Sequence, residues 1–512
     1  MLTARKGIVY YCWLSIPAII SIVIYYPSMQ IWSIADDFDH LAMLANIATR
    51  WQVCNPPSFV FRPIERYINA INGYLAGYES MIITHAAAIA IFALMALLMY
   101  YICRRVLSIS RSASSLTAIL FSVLPANAMS ITQIDTISQL CASFFALVLL
   151  IHLHSVYRDE NGCELWRVAL TFVLSLLTLF SKETAIGIVT ILPLIALLFC
   201  TPAPDSRNRA RLFIHWSAAG AALILYFVLR AIVGATHNIA ASDYAIPVAL
   251  LMIGKNIIQL LFAAAYAGST IDMFPHVQFW RIGVSFVFTV GLASMVLFLL
   301  FPGQPCSASS PAPEFSFRGL WFCSKFRKKI LLIVIMLAGT FPVCVIDKMS
   351  ELYAFSLIPF YCFLIGISID EIINRLDVQH SRAVATRLKF VFGIFFLVMT
   401  VWLGFFAREK VLLTCQTSDM SQTFYHTARE FVKVLGDQQA VVCWQYAGEK
   451  MPEPSYSSFV MPPRMVLKGV FSFCNDFHHS RITYIEHPQD SLPCSWYASY
   501  QNGSLKITQG GY

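Results

Sequence analysis

Long apolar runs interrupted by short polar clusters set the pattern of this chain. A bilayer crossing takes roughly 20 apolar residues. About eleven stretches qualify, at roughly 8–30, 80–103, 113–130, 136–154, 166–181, 184–201, 212–233, 280–301, 329–346, 351–369 and 388–407. Basic residues gather in alternate intervals: Arg5/Lys6, Arg104/Arg105/Arg111, Arg158/Arg167, Arg207/Arg209/Arg211, Arg318 with Lys325 and Arg327-Lys328-Lys329, then Arg375/Arg382/Arg387/Lys389. Positive residues mark the cytoplasmic side, so the N-terminus is predicted inside and the C-terminus outside. The stretch 248–267 is apolar but carries Gly254, Lys255, Asn256 and Gln259 near its middle. Counting it as a span would put Arg327-Lys328-Lys329 outside. It is therefore expected as a re-entrant or interfacial helix on the outer side, shielded by protein or a water-filled cavity.

Two polar pieces lie beyond the apolar runs. The first outer loop, 31–79, shows helical patches near 39–50 and 64–75 around Asn55-Pro56-Pro57. The tail, 408–512, carries a predicted helix at 421–435 and β-like runs at Ala440–Tyr446 and Arg481–Glu486. Residues 1–407 thus read as a transmembrane domain and 408–512 as a small extracytoplasmic α/β domain. Composition agrees: 58% of the residues are hydrophobic and 12% charged, against about 25% charged in soluble globules. The net charge of +8 lies in short clusters between apolar runs, which orients a polytopic membrane protein and excludes nucleic acid as a partner. Cys415, Cys443, Cys474 and Cys494 all lie in the tail. An even number in an oxidising compartment predicts two disulfides of undetermined connectivity. Zinc is the weaker reading, because no Cys-x-x-Cys pair occurs.

The candidate chemistry falls on the outer side. Asp36-Asp37-Phe38 follows the first span directly. One of the two carboxylates can cap a helix starting near Asp39, but adjacent carboxylates tend to divide their work, one as ionised base and one as orienting group. Ser181-Lys182-Glu183-Thr184 joins two apolar flanks of only about 15 residues, or roughly 22 Å of helix, short of a hydrocarbon core of about 30 Å. That hairpin should lie recessed in a cavity. There Lys182 and Glu183 either pair locally or Lys182 binds an anionic head group. Arg62, in Phe61-Arg62-Pro63, either pairs with Glu65 or Glu79 or grips phosphate with its planar fork. His85 opens the second span, and a lone interfacial His is more often structural. Gln133, Asp135 and Gln139 mark the next outer turn, where Asp135 can cap a helix. Arg230, near the outer end of the seventh span, can snorkel. Asp347, Lys348, Glu351 and Tyr353 occupy the turn between the ninth and tenth spans. This gathering of polar hairpins on one side predicts a site opening outward.

In order and side, these elements resemble the GT-C integral-membrane glycosyltransferases, notably the protein O-mannosyltransferase and aminoarabinose-transferase group and relatives with TPR tails. Asp36-Asp37-Phe38 and Phe61-Arg62-Pro63 are similar to the family's first outer loop. Thr84-His85 resembles the His at its second span, Ser181-Lys182-Glu183 its Ser-Lys-Glu hairpin, and Glu351-Leu352-Tyr353 its Glu-x-Tyr element. The resemblance covers about residues 8–370. Ala88 stands where the family has Asn, Gln133 and Gln139 replace a common Glu and Arg, and no TPR period follows.

The resemblance implies a GT-C-like fold and transfer of a sugar from a polyprenyl-phosphate donor, with inversion, on the non-cytoplasmic side of a bilayer. Asp36 or Asp37 would be the base, with Lys182, Arg62, Arg230 and Lys348 as phosphate-binding cations. Glu183, His85, Asp135, Glu351 and Tyr353 would support them. A divalent metal is compatible with such chemistry, though no ligand cluster demands one. The expected location is a bacterial inner membrane with the outer loops periplasmic. Two other classes stay open: a transporter or flippase of lipid-linked substrates, which predicts midplane charges and paired repeats, and a non-catalytic membrane scaffold.

Overall fold

Among the described residues, breaks between apolar runs become turns at the helix ends. The computed structural model describes residues 15–34, 37, 61–159, 162–234, 250–266, 268, 279–300, 323–344, 351–379, 381–436, 438–445, 463–477, 481–485, 494–501 and 504–509. Helix α1 covers residues 15–25 and passes into a 3-10 turn, Tyr26–Gln30, at Pro27, whose missing N–H cannot continue an α-helix. There follow α2 (Pro63–Ala76), α3 (Ile82–Arg105), α4 (Arg111–Val123), α5 (Ala128–Thr132), α6 (Ile137–Arg158), α7 (Leu165–Ser181), α8 (Ile186–Cys200) and α9 (Ser206–Ile232). Then come α10 (Leu250–Ala265), α11 (Phe279–Leu300), α12 (Ser324–Cys344), α13 (Ile358–Gln379) and α14 (Arg382–Leu435).

Six helical stretches among the described residues are long and apolar enough to cross a membrane: α3, α6, Glu183–Cys200, α9, the first part of α11, and α14. The pair α4 and Pro125–Thr132, bent by 51° at Leu124-Pro125, makes a seventh if taken as one span. Helices α12 and α13 are of spanning length but carry charges, α12 at its N-terminal end and α13 in its C-terminal half. The chain is a polytopic helical membrane protein with a small C-terminal sheet.

The inner charges are built into the packing. Lys328 Nζ donates to Leu107 O and Arg327 Nε to Leu198 O, both at 2.9 Å. Lys325 pairs with Asp370 at 2.8 Å and Lys329 with Glu371 at 2.7 Å. Cations at the carbonyl ends of α3 and α8 satisfy orphan acceptors and oppose the helix dipole. The basic cluster on which the expected orientation rests therefore also ties α12 to its neighbours.

Helix α10 packs on α12 and on the 3-10 turn Glu351–Ser356, with Asn256 Nδ2 donating to Cys344 O at 2.9 Å. At 16 residues it is shorter than a bilayer crossing.

One crossing depends on glycine. A Cβ on Gly187 would stand 1.9 Å from the Ala338 carbonyl oxygen, so α8 and α12 touch backbone to backbone. We expect Gly187→Ala to destabilise the protein by about 1–3 kcal/mol through overpacking. Thermal unfolding in detergent reads this, and an unchanged midpoint would mean the crossing relaxes freely.

The tail departs from expectation in two ways. The last span and the predicted helix 421–435 are one continuous 54-residue helix, α14, about 80 Å long. Residues 408–420 contain neither Gly nor Pro, and Lys410, Val411, Thr414, Thr417, Ser418 and Ser421 continue a buried stripe at helical spacing. The helix ends at Gly436, in the left-handed region at φ 57°, whose N–H bonds Val432 O. Secondly, only two of the four tail cysteines are joined, as the disulfide Cys443–Cys494. Cys415 sits on α14 facing Pro27 O, and Cys474 is buried in a helix of the C-terminal core.

That core is a four-stranded sheet of order β2-β1-β3-β4, with β1 (Gln439–Trp444), β2 (Arg481–Ile485), β3 (Trp496–Gln501) and β4 (Ser504–Gln509). Strand β1 runs parallel to β2 and β3, and β3 pairs antiparallel with β4. Helix α15 (Pro463–Phe477) makes the β1-to-β2 crossover and packs, like β4, on the outer end of α14.

Candidate functional site

The site is built from turns that join the ends of helices. Pro63 is the first residue of α2, and Arg62 before it stands outside the helical region at φ −132° and ψ 71°, since proline disfavours the α conformation in the residue it follows. From there Arg62 reaches Glu183: Nε donates to Oε2 at 2.9 Å and Nη2 to Oε1 at 2.6 Å. The side chains are 12% and 26% exposed, so this bidentate pair is mostly removed from solvent. Glu65, one turn along α2 and wholly buried, lies 3.8 Å from Arg62 Nη1. Burial works against the Arg62 charge, and the adjoining Glu183 carboxylate overcomes it, holding the guanidinium well above its ordinary value.

Lys182 terminates α7 in an extended conformation, φ −156° and ψ 133°. Its side chain makes no ion pair with the neighbouring Glu183, which is taken by Arg62, and is only 1% exposed. The ammonium stands 5.7 Å over the Tyr353 ring centroid. Among the described residues it has no ion pair and no hydrogen-bond acceptor; the carboxylates of Glu183, Asp135 and Glu65 act on it only at longer range. Burial first, and then the positive charge of Arg62, pull it down to about 8. A buried cation that leans on an aromatic ring and has no ion pair among the described residues can accept an anion.

Asp37 takes a different part. It is buried, and its carboxylate accepts three backbone N–H bonds: Ile34 at 3.1 Å on Oδ2, then Ile134 at 3.0 Å and Asp135 at 3.2 Å on Oδ1. It thereby fastens the start of the first outer loop to the turn after α5. The 51° bend at Pro125 delivers that turn. The backbone of Asp135 is thus held by Asp37, and its carboxylate acts on Lys182.

His85 is fully buried in the first turn of α3, against the backbone of Ile31 and Ile131. Arg230 lies half-buried at the end of α9 beside Tyr226. The Tyr226 ring is 5.8 Å from that of Phe61 and 6.4 Å from that of Phe180. Arg62, Asp135, Lys182, Glu183, Arg230 and Tyr353 therefore come together, with Asp37 and His85 fixing the rim. Asp36 and Lys348 lie outside the described residues, as does the Glu351 side chain. No group of three His, Cys, Asp or Glu side chains stands together as a metal site among the described residues.

Two site residues, Asn69 and Asn72, escaped the sequence reading. Asn72 Oδ1 accepts the N–H groups of Ile83 and Thr84 at 3.0 and 3.3 Å, and its Nδ2 donates to Ser80 O at 2.6 Å. Asn69 Oδ1 accepts from Thr84 Oγ1 at 3.0 Å. With Glu65 they form a buried polar stripe at i, i+4 and i+7 on α2, while Tyr67, Ile71, Tyr74 and Leu75 face outward. The stripe was visible as a spacing; which face turns inward was not.

No known protein family and no curated protein matches this chain. Among solved structures, the cryo-EM structure of the arabinofuranosyltransferase AftD from Mycobacteria is similar at 14% identity and a TM-score of 0.44, over 85% of this chain and 29% of that one. The chain thus corresponds to less than a third of the length of that protein.

Proposed function

We propose that the chain is a membrane glycosyltransferase that moves a sugar from a polyprenyl-phosphate donor to an acceptor hydroxyl on the non-cytoplasmic side, with inversion. The observation that carries this reading is Lys182, a fully buried ammonium without an ionic partner among the described residues, set beside the Arg62–Glu183 pair. A phosphate anion supplies what it lacks. Because the leaving group is already an anionic phosphate, electrostatic stabilisation does more than a proton donor would. Lys182 takes the phosphate, and Arg62 borders it in an orientation set by Glu183. Arg230 and Lys348 are the further cations, and Tyr353 carries the ring under Lys182.

The acceptor hydroxyl needs a base. With Asp37 engaged by three N–H groups, we assign proton abstraction to Asp36 and the holding of the loop to Asp37. The hydroxyl oxygen then attacks the anomeric carbon as the bond to the phosphate oxygen breaks, which inverts that centre in one displacement. Asp135 and Glu351 are assigned to the rim, and His85 to fixing α3 against the loop.

Mass-spectrometric profiling of lipid-linked and surface glycans tests this in cells carrying the native protein, Asp36→Asn, Asp37→Asn or no protein, at matched membrane levels. A glycan absent without the protein and lost at least a hundredfold in Asp36→Asn is the expected result. A glycan restored by both Asp variants would refute catalysis by the pair and bring forward transport of a lipid-linked substrate.

A further inference from the structure

The hydrophobic core of the C-terminal domain holds three residues that do not belong to it. Trp32, Met81 and Ile134 are buried together with Tyr425, Phe473 and their neighbours. Each comes from a different outer turn of the membrane part: the start of the first outer loop, the turn between α2 and α3, and the turn after α5. Trp32 is the most deeply engaged. Its ring lies 4.9 Å from that of Tyr425 and 6.2 Å from that of Phe473. Its backbone N–H donates to Ser418 Oγ at 2.7 Å, and its Nε1 to Tyr78 O at 2.9 Å. The same three turns carry the rim of the site. Asp37 follows Trp32 by five residues and binds the Ile134 and Asp135 amides. Met81 sits next to Asn72 Nδ2 at 3.4 Å and is the residue from which α3, with Thr84 and His85, begins.

We propose that the C-terminal domain is a working part of the site, positioning the acidic loop through Trp32 as a wedge. Trp32 is a positioning residue that touches no substrate; it acts through Asp37 and the turn at Ile134–Asp135. A large aromatic side chain is stiff and fills a fixed volume, so seating it against the packed Tyr425 and Phe473 rings sets where the backbone leading to Asp37 runs. The transfer arm of the test below rests on the glycosyltransferase reading; the exchange arm does not.

Amide hydrogen exchange on the full chain in lipid nanodiscs compares the native protein with Trp32→Ala, Trp32→Phe and Ser418→Ala. In Trp32→Ala the amides of Ile34, Ile134 and Asp135 should exchange faster by on the order of a hundredfold. The Lys182 amide, bonded to Thr178 O at 3.3 Å, should keep its rate. Trp32→Phe should restore most of the protection, and Ser418→Ala should give a smaller acceleration at the same amides. Glycan yield at matched membrane levels should fall in Trp32→Ala and recover in Trp32→Phe. Unchanged Ile134 and Asp135 amides in Trp32→Ala overturn the proposal. So does a uniform acceleration that includes Lys182, if Ser418→Ala is silent. Loosened amides with native glycan yield also overturn it. In that case Asp36→Asn tells which idea failed: lost transfer leaves the transferase standing without this wedge, and native transfer removes both.

Discussion

Lys182→Met should give a protein that still folds and no longer binds a polyprenyl monophosphate. An ammonium that is 1% exposed and has no ionic partner among the described residues is a burden on the fold, because desolvation disfavours the charge. A thioether of similar length removes that burden, so the unfolding midpoint should hold or rise. Affinity should fall on the order of 10²–10³-fold, the usual loss for one preorganised donor to a developing or bound anion. The pH dependence follows from the position of the group. Burial and Arg62 bring Lys182 down to about 8, from an ordinary value of about 10.4. The anion binds the ammonium, so affinity is full below that pH and declines about tenfold per unit above it. Stability of the unliganded protein runs the other way. Between the folded and unfolded values the unfolded chain holds more protons, so stability rises with pH through that window. Lys182→Met should lose both dependences. Native mass spectrometry of binding from pH 6.5 to 9.5, beside thermal unfolding, reads them together. Native affinity in Lys182→Met would remove the anion site, and a large drop in midpoint would make Lys182 a member of the fold instead.

Much of this site could be anticipated because charge at membrane depth is costly and therefore conspicuous. Arg62, Lys182, Glu183 and Tyr353 stand out as polar breaks at the ends of apolar runs, and they converge. What the chain concealed was pairing. Lys182 and Glu183 are adjacent and opposite in sign, which suggests a local ion pair. In an extended segment successive side chains point apart, and Glu183 goes to Arg62, 121 residues away in sequence. That leaves Lys182 without an ion pair among the described residues, the very property that makes it a candidate for phosphate. Helix α2 hid its role for another reason. In water its apolar side would be the buried one, yet here Ile71 and Leu75 face out while Asn69 and Asn72 face in, so an amphipathic pattern alone does not say which side is inside. Trp32 looks like an ordinary interfacial anchor at the end of a span. Its contacts with Ser418 and Tyr425 lie nearly 400 residues further on, beyond any local period. The continuity of α14 was legible in the absence of Gly and Pro over 408–420, but a fall in hydropathy there reads as the end of a span.

Breaking the Arg62–Glu183 pair should be far more damaging than removing it. Arg62→Met takes from the Glu183 carboxylate its bidentate partner and leaves it only the more distant Lys182 charge, and it takes the same cation from buried Glu65. Glu183→Leu strands the guanidinium. Each single variant should lose about 3 kcal/mol, the usual consequence of leaving one buried charge uncompensated. The double variant Arg62→Met/Glu183→Leu leaves no orphan from this pair and should recover most of the loss, giving a coupling of about 2 kcal/mol or more for residues in direct contact. Unfolding in mixed detergent micelles measures the cycle, and additive losses would mean that the bidentate geometry contributes little. The double variant also separates support from chemistry. It restores the fold without restoring the cation at the edge of the Lys182 pocket, so transfer should stay low if Arg62 acts on the donor phosphate. Transfer returning with stability would instead assign Arg62 wholly to holding the hairpin in place. Lys182 would then carry the leaving group without help from its neighbour across the turn.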